Sequence, residues 1–171
     1  PPMKSIVAVD KNWGIGKENG LLFSIPEDMR YFREKTRGKV VVMGLNTLRS
    51  LPGGKPLRGR LANIVLSDTD LPETEGLTVC RTADSLLEEI KKYPADDVFV
   101  IGGGSIYRLL CDLCTEALVT KVDADGGATV FYPDLDAREG WELVSESGPT
   151  ESNGFTLRFC VYMNLAPKAS L

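Results

Sequence analysis

Runs of apolar, mostly β-branched residues that do not alternate with polar ones constrain this chain more than any other feature. They are Ser5-Ile6-Val7-Ala8-Val9, Val40-Val41-Val42-Met43, Asn63-Ile64-Val65-Leu66, Leu77-Thr78-Val79-Cys80, Val98-Phe99-Val100-Ile101 and Ala117-Leu118-Val119-Thr120. A strand apolar on both sides has to be covered on both faces, which calls for a parallel sheet with helices above and below. Helical patterns fall between the runs, over residues 26–36, 46–51, 83–92 and 105–113. Pro26 suits a first turn, where its missing N–H costs nothing. Thr82 is placed to cap the third helix, whose Leu86, Leu87 and Ile90 share a face. Only Trp141-Glu142-Leu143-Val144 and Thr156-Leu157-Arg158-Phe159-Cys160-Val161-Tyr162 alternate, as antiparallel strands do. The expected fold is one α/β domain over residues 1–171, with Pro1 and Pro2 set aside as processing residues. Its sheet is mostly parallel with an antiparallel C-terminal edge and helices on both faces.

The chain contains no histidine. That excludes a Ser-His-Asp triad, a Cys-His dyad, histidine zinc sites and a histidine proton shuttle. Acid–base chemistry falls to carboxylates, Tyr, Lys, Cys, water or a cofactor. Cys111-Asp112-Leu113-Cys114 has the C-x-x-C spacing but ends a helical pattern, and Cys80 and Cys160 supply no second pair. These read as core or helix-face thiols, and no metal is expected. Lys+Arg 20 against Asp+Glu 24 gives a net charge of −4, which argues against a general nucleic-acid binder. No apolar run reaches about 18 residues, and Pro1-Pro2-Met3-Lys4 lacks the apolar core of a signal peptide. The expectation is a soluble, cytoplasmic monomer with no membrane or nucleic-acid partner.

Chemistry gathers where the buried strands end in glycine. Gly102-Gly103-Gly104, between a strand and a helix, lets backbone approach a ligand closely and aims N–H groups at an anion. Tyr107 stands where G-x-G-x-x-G needs its third glycine, and no Gly-Lys-Ser/Thr follows, so neither nucleotide fingerprint applies. A tight turn and a phosphate or dinucleotide site are the two readings. Gly44 followed by Asn46-Thr47 makes a second such point. Two helix N-termini at the carboxyl ends of neighbouring strands suit a diphosphate with a nucleotide on either side.

At about 100° per residue, Ile25, Met29, Phe32 and Thr36 share a stripe of the first helix. Asp28 lies about 60° from Ile25, on the stripe's edge, whereas Glu27 lies about 160° away and faces water. A carboxylate beside apolar surface needs a partner. Asp28 is either a first-turn acid favoured by the helix dipole or a ligand-binding group. The Gly-rich loop over residues 13–20, able to close over a pocket, favours the second reading.

Trp13-Gly14-Ile15-Gly16-Lys17-Glu18-Asn19-Gly20, Ile25-Pro26-Glu27-Asp28-Met29, Val42-Met43-Gly44-x-x-Thr47, Arg58-Gly59-Arg60, Ile101-Gly102-Gly103-Gly104-x-Ile106-Tyr107 and Thr120-x-Val122-Asp123 together resemble the dihydrofolate reductase family. The match runs in order over nearly the whole chain. It implies a central eight-stranded, mostly parallel sheet and NADPH-dependent reduction of 7,8-dihydrofolate, with hydride delivered to pterin C6 and a proton to N5. It places Asp28 on the acid that accepts charge-assisted hydrogen bonds from the pterin N3 and 2-amino groups, and Thr120 on the residue linked to that acid through a hydroxyl and a water. Ile6, Ala8, Met29, Phe32, Leu51, Leu57 and Ile101 fall on the apolar walls of the substrate pocket. Arg60 falls on the arginine that grips the α-carboxylate of the glutamate tail. The implied cofactor positions begin with Ala8, Gly14, Ile15, Gly16, Lys17, Glu18, Asn19 and Gly20. They continue with Gly44, Asn46, Thr47, Leu66, Ser67, Asp68, Arg81 and Ile101, then Gly102, Gly103, Gly104, Ser105, Ile106 and Tyr107. Gly102-Gly103 falls on the family's cis peptide.

The chain departs from the family pattern at several points. Phe23 stands where many members carry Trp. Leu61-Ala62-Asn63 looks one residue longer than usual after the arginine, which makes Arg58 a rival of Arg60, and Phe131-Tyr132-Pro133-Asp134 looks like another one-residue insertion. Where members commonly hold the 2′-phosphate of NADPH, this chain carries Leu45, Asp68 (after Ser67) and Ser105, none of them basic; Arg81 and Arg49 are basic. The expected cofactor is NADPH, with NADH weakly discriminated against. The rival readings are a same-fold pyrimidine reductase of riboflavin synthesis and a non-catalytic nucleotide-binding module. The first should lack the Trp-Gly-Ile-Gly loop and the Pro-Glu-Asp helix start. The second has no use for Asp28 or Arg60.

Overall fold

The computed structural model describes residues 3–17 and 20–171. Its strands, in chain order, are β1 (Lys4–Val9), β2 (Gly14–Lys17), β3 (Gly20–Leu21), β4 (Val40–Gly44), β5 (Ala62–Leu66), β6 (Leu77–Cys80), β7 (Val98–Gly102), β8 (Glu116–Val122), β9 (Val130–Phe131), β10 (Trp141–Glu146), β11 (Thr150–Ser152) and β12 (Phe155–Asn164). The α-helices are α1 (Pro26–Thr36), α2 (Leu45–Ser50), α3 (Ala83–Ile90) and α4 (Gly104–Leu110). The main sheet runs β10-β12-β8-β1-β7-β4-β5-β6, with β11 added to β12. From β8 to β6 every pairing is parallel, while β12 and β10 are antiparallel at the far edge.

Both faces of the parallel strands are covered, as their apolar runs require. Val41, Met43 and Val65 pack with Leu45, Leu48 and Leu51 on one face. Ile6, Phe99 and Leu118 on that face take Tyr31 and Phe32 of α1, and Ile101 touches both groups. On the other face Val40, Val42, Ile64, Val98 and Val100 meet Leu86, Ile90, Ile106 and Leu110. Chain direction explains the division. Leaving β1 and β4 the chain moves one way across the sheet; leaving β6 and β7 it moves back. Right-handed crossovers in opposite directions put their helices on opposite faces. Strands β4 and β7 are neighbours, yet α2 and α4 leave them on different sides, so a crevice opens beyond their carboxyl ends.

Two expectations need correction. Residues 13–20 are not simply a loop, because Gly14–Lys17 pairs with Val130–Phe131 and with Gly20–Leu21. Neither partner carries an alternating pattern, and the ladder depends on a segment more than a hundred residues away. The helix expected to reach residue 113 is α-helical only to Leu110, then tightens into a 3₁₀ turn over Cys111–Leu113. All four cysteines are free and buried. Burial pushes the Cys114 thiol up to about 12, which suits an inert core thiol.

The cap on α3 forms as its sequence predicts. The Thr82 hydroxyl accepts from the Ser85 backbone N–H at 3.1 Å, and the Ser85 hydroxyl accepts from the Thr82 N–H at 3.1 Å. Replacing Thr82 with Ala should cost about 1 kcal/mol of unfolding free energy. A lower urea midpoint at unchanged slope is the expected result, and an unchanged midpoint shows the cap to be worthless here.

Candidate active site

Ile25 sets the position of α1. It is buried with Val122 and Leu157, and its extended backbone leads into Pro26 at the start of the helix. Tyr31 and Phe32 then lie on β1, β7 and β8, with the Tyr31 ring 4.4 Å from that of Phe159. This packing turns Asp28 toward Thr120 of β8, which sits opposite Ala8 of β1. Burial raises the Asp28 carboxyl above its ordinary 3.8, and the Thr120 hydroxyl beside it pulls part of the way back. Glu27 points elsewhere and pairs with Arg30 at 3.4 Å. Met29 belongs to the stripe by spacing, yet it is 47% exposed, with the Ser24 hydroxyl on its sulfur at 3.6 Å. Helical spacing states which side chains share a face, not what covers them.

A continuous apolar wall leads away from Asp28. Ile6, Phe32 and Ile101 form one part; Ile101 also packs with Leu51 and Leu57 in the other. The buried Asn63 amide holds Leu57 in place, accepting from its N–H at 2.9 Å and donating to its carbonyl at 3.0 Å. At the end of the wall lies Arg60. Its Nε and Nη2 donate to Thr36 Oγ1 at 3.1 and 2.8 Å, and its guanidinium carbon stands 5.8 Å from the Phe32 ring centre. Backbone bonds from Gly38 to Gly59 and from Leu61 to Lys39 clamp this turn onto the end of α1. Arg58 is exposed and contributes only its carbonyl, to Arg60. Burial, together with Arg37 and Arg33 nearby, pushes the Arg60 guanidinium below its ordinary value. None of Arg33, Arg37, Arg58 and Arg60 forms an ion pair among the described residues.

The crevice between β4 and β7 is lined by bare backbone. Gly102 sits at φ +123°, and a Cβ there would come 3.3 Å from the Tyr107 ring and 3.4 Å from Thr47 Oγ1. The Gly102-Gly103 bond is cis. Of the other expected cofactor contacts, Ser105 and Asn46 are exposed, Thr47, Leu66 and Gly104 half-buried, and Ile106 buried against the position of Gly44. Two hydroxyls are committed internally. Tyr107 Oη donates to the Ile6 carbonyl at 2.7 Å, and Ser67 Oγ donates to the Thr69 carbonyl at 2.9 Å. Ile15 packs on the main core while Lys17 and Gly20 are exposed; Glu18 and Asn19 lie outside the described residues.

Compared with known proteins, residues 2–164 match the family model described as dihydrofolate reductase. The chain belongs to the dihydrofolate reductase family. It is 33% identical over 159 residues to the dihydrofolate reductase of Bacillus subtilis (strain 168), covering 92% of this chain and 91% of that one. With dihydrofolate reductase type 9 of Escherichia coli it shares 35% identity over 175 residues, 96% of this chain and 94% of the relative. With bifunctional dihydrofolate reductase-thymidylate synthase 1 of Arabidopsis thaliana it shares 34% over 182 residues, covering 96% of this chain. The chain spans 34% of the length of that bifunctional relative.

The nicotinamide cofactor implied by the dihydrofolate reductase family meets a fitting cradle at Gly102, Gly103 and Thr47, where a side chain would fill the close approach. Sequence reasoning missed Asp10, which holds the neighbouring strand. This carboxylate is 2% exposed; Oδ1 accepts from the Asn12 and Gly14 N–H groups, each at 2.8 Å, and Oδ2 from the Gly126 N–H at 3.0 Å. It ties the end of β1 to β2 and to the loop before β9. Gly14 is needed at this junction, since a Cβ would lie 2.3 Å from that of Ala128. Trp13, at φ 64°, is packed on Tyr132 and Tyr162. An acid four residues before a glycine is a local turn signal, but Gly126 lies 116 residues from Asp10.

Replacing Asp10 with Ala should leave the main sheet folded while freeing β2. The Gly14 and Gly126 amides should exchange with solvent about tenfold faster or more, the cost of a lost bond to a charged acceptor. Wild-type protection at both amides shows that the carboxylate does not hold them.

Proposed function

We propose that this chain reduces 7,8-dihydrofolate to 5,6,7,8-tetrahydrofolate with a nicotinamide cofactor, NADPH in preference and NADH accepted. The observation that carries this reading is a single apolar wall with a half-buried acid at one end and a guanidinium at the other. That order suits a substrate with a flat N–H-bearing head, an aromatic middle and a carboxylate tail.

Asp28 has the position to accept hydrogen bonds from the pterin N3 and 2-amino groups, and in a desolvated setting such charge-assisted bonds are strong. Thr120 helps to hold the carboxyl group. Ile6, Phe32, Ile101, Leu51 and Leu57 exclude water along the ring system, with Ala8 beside Thr120 and Met29 at the rim. Arg60, half-buried and propped by Thr36, presents a planar fork to the tail α-carboxylate. When bound, the reduced nicotinamide supplies the hydride that goes to pterin C6. Asp28 fixes the ring and favours protonation at N5, with water delivering the proton. A group in such a role is typically worth about 10²–10⁴ in rate.

Oxidation of NADPH, followed by loss of its near-ultraviolet absorbance, is expected only when dihydrofolate is present; absence of turnover defeats the proposal. Asp28→Asn should bind cofactor but lose about 10²–10⁴ of kcat, with part of the loss restored at low pH, where substrate arrives protonated. Glu27→Gln should be nearly silent. The same variant reports on burial. Because folding raises the Asp28 pKa, the stability due to its protonated form is full below 3.8 and is lost as pH rises through the raised value. Asp28→Asn should therefore have the higher Tm at neutral pH and no advantage below 3.8. Equal Tm values at neutral pH show that the ionised carboxylate is not penalised.

Arg60→Ala should raise KM for dihydrofolate by roughly ten- to a hundredfold with little change in kcat, the sign of uniform binding lost. If Arg58→Ala does so in its place, the tail belongs to Arg58.

A further inference from the structure

We infer that Asp70, by holding Arg81, makes the far end of the cofactor cleft a poor discriminator between a ribose 2′-phosphate and a free 2′-hydroxyl. The inference rests on the function proposed above. Read outward from the β7–β4 crevice, the carboxyl edge of the sheet continues to the ends of β5 and β6. The Ser67 N–H donates to the Cys80 carbonyl at 2.9 Å, so the chain leaving β5 runs beside the chain leaving β6. Arg81 is the cation on this pair of segments. Its Nη2 donates to the Asp68 carbonyl at 2.7 Å, and its Nη1 is ion-paired with the Asp70 carboxylate. The Asp68 carboxylate is a second negative group at the same turn. Ser67 brings no free hydroxyl, since it both donates to and accepts from the Thr69 backbone. Leu45, at the start of α2, brings no charge.

A phosphate dianion arriving here has to take Arg81 from Asp70 and to sit near Asp68. A ribose hydroxyl is neutral and donates to a carboxylate without disturbing the pair, as acids do in other dinucleotide sites. The Arg81–Asp70 pair is exposed, with Asp70 side-chain exposure at 92%, so it competes weakly and is screened by salt. The balance removes the advantage of the phosphate and does not reverse it. Asp70 thus acts on specificity through Arg81 and touches no reacting atom.

Equilibrium binding of NADPH and of NADH to the whole chain, read by quenching of its tryptophan fluorescence, tests this without turnover. The wild-type Kd values should lie within about tenfold of each other. Asp70→Asn, at an exposed position that does not threaten folding, should tighten NADPH by about two- to fivefold and leave NADH almost unchanged. Arg81→Ala should weaken NADPH alone, and higher salt should narrow the difference between the Asp70→Asn and wild-type values for NADPH. A wild-type preference for NADPH of about a hundredfold or more, or a ratio that Asp70→Asn does not move, overturns the inference while leaving the reductase reading intact. Failure of the wild-type chain to bind either cofactor overturns both.

Discussion

Parallel strands buried on both faces leave a chain few places to carry chemistry. Every side chain along β4 or β7 is needed as filling, and every strand N–H and C=O is used in a ladder. What remains free is at the strand ends, where the chain turns toward one face or the other. In this protein the carboxyl ends of β8, β1, β7, β4, β5 and β6 share one edge in that order. Asp28 is held over that edge by the start of α1, whereas Arg60 stands at the helix's other end, two residues before β5 begins. The core therefore decides where the site lies, and the loops decide what it does.

Along that edge the electrostatic character changes from place to place. At β8 and β1 a single carboxyl group is partly desolvated between a helix and the sheet, and that burial raises its pKa. At β7 and β4 the lining is backbone, with glycine where a side chain would fill the gap. At β5 and β6 one guanidinium is held by the Asp70 carboxylate and the Asp68 backbone carbonyl. At the C-terminal end of α1, the Arg33, Arg37 and Arg60 guanidinium groups gather without carboxylate partners among the described residues. A chain of net charge −4 thus keeps an unpaired cationic patch where the proposed substrate tail is acidic. At the ends of β5 and β6 its cation, Arg81, is paired with Asp70.

Strand β2 shows how precision is obtained from a segment with little strand propensity of its own. Its residues have weak strand propensity, and three of the first seven positions from Gly14 are glycine. The buried Asp10 carboxylate supplies the rigidity by gathering three backbone N–H groups. Trp13, wedged between Tyr132 and Tyr162 with Lys121 5.3 Å over its ring, closes the other side. A carboxylate can be buried here because three backbone N–H groups bond to it.

Much of this was legible in the order of the residues. Non-alternating apolar runs can be satisfied only by cover on both sides, so the α/β class and the parallel sheet followed from them. Pro26, Thr82 and the glycine triplet act within a few residues of themselves, and each does what its local chemistry dictates. Asp28 was visible because helical spacing puts it at the edge of an apolar stripe. The pairing of β2 with β9, the bond from Asp10 to Gly126, the choice of Arg60 over Arg58 beside Phe32, and the capture of Arg81 by Asp70 were not visible. Each depends on which distant segment lies alongside, and that is settled by the direction of the crossovers and the packing of helices on the sheet. Periodicity along a chain records which residues share a face; only the closed fold decides what that face meets.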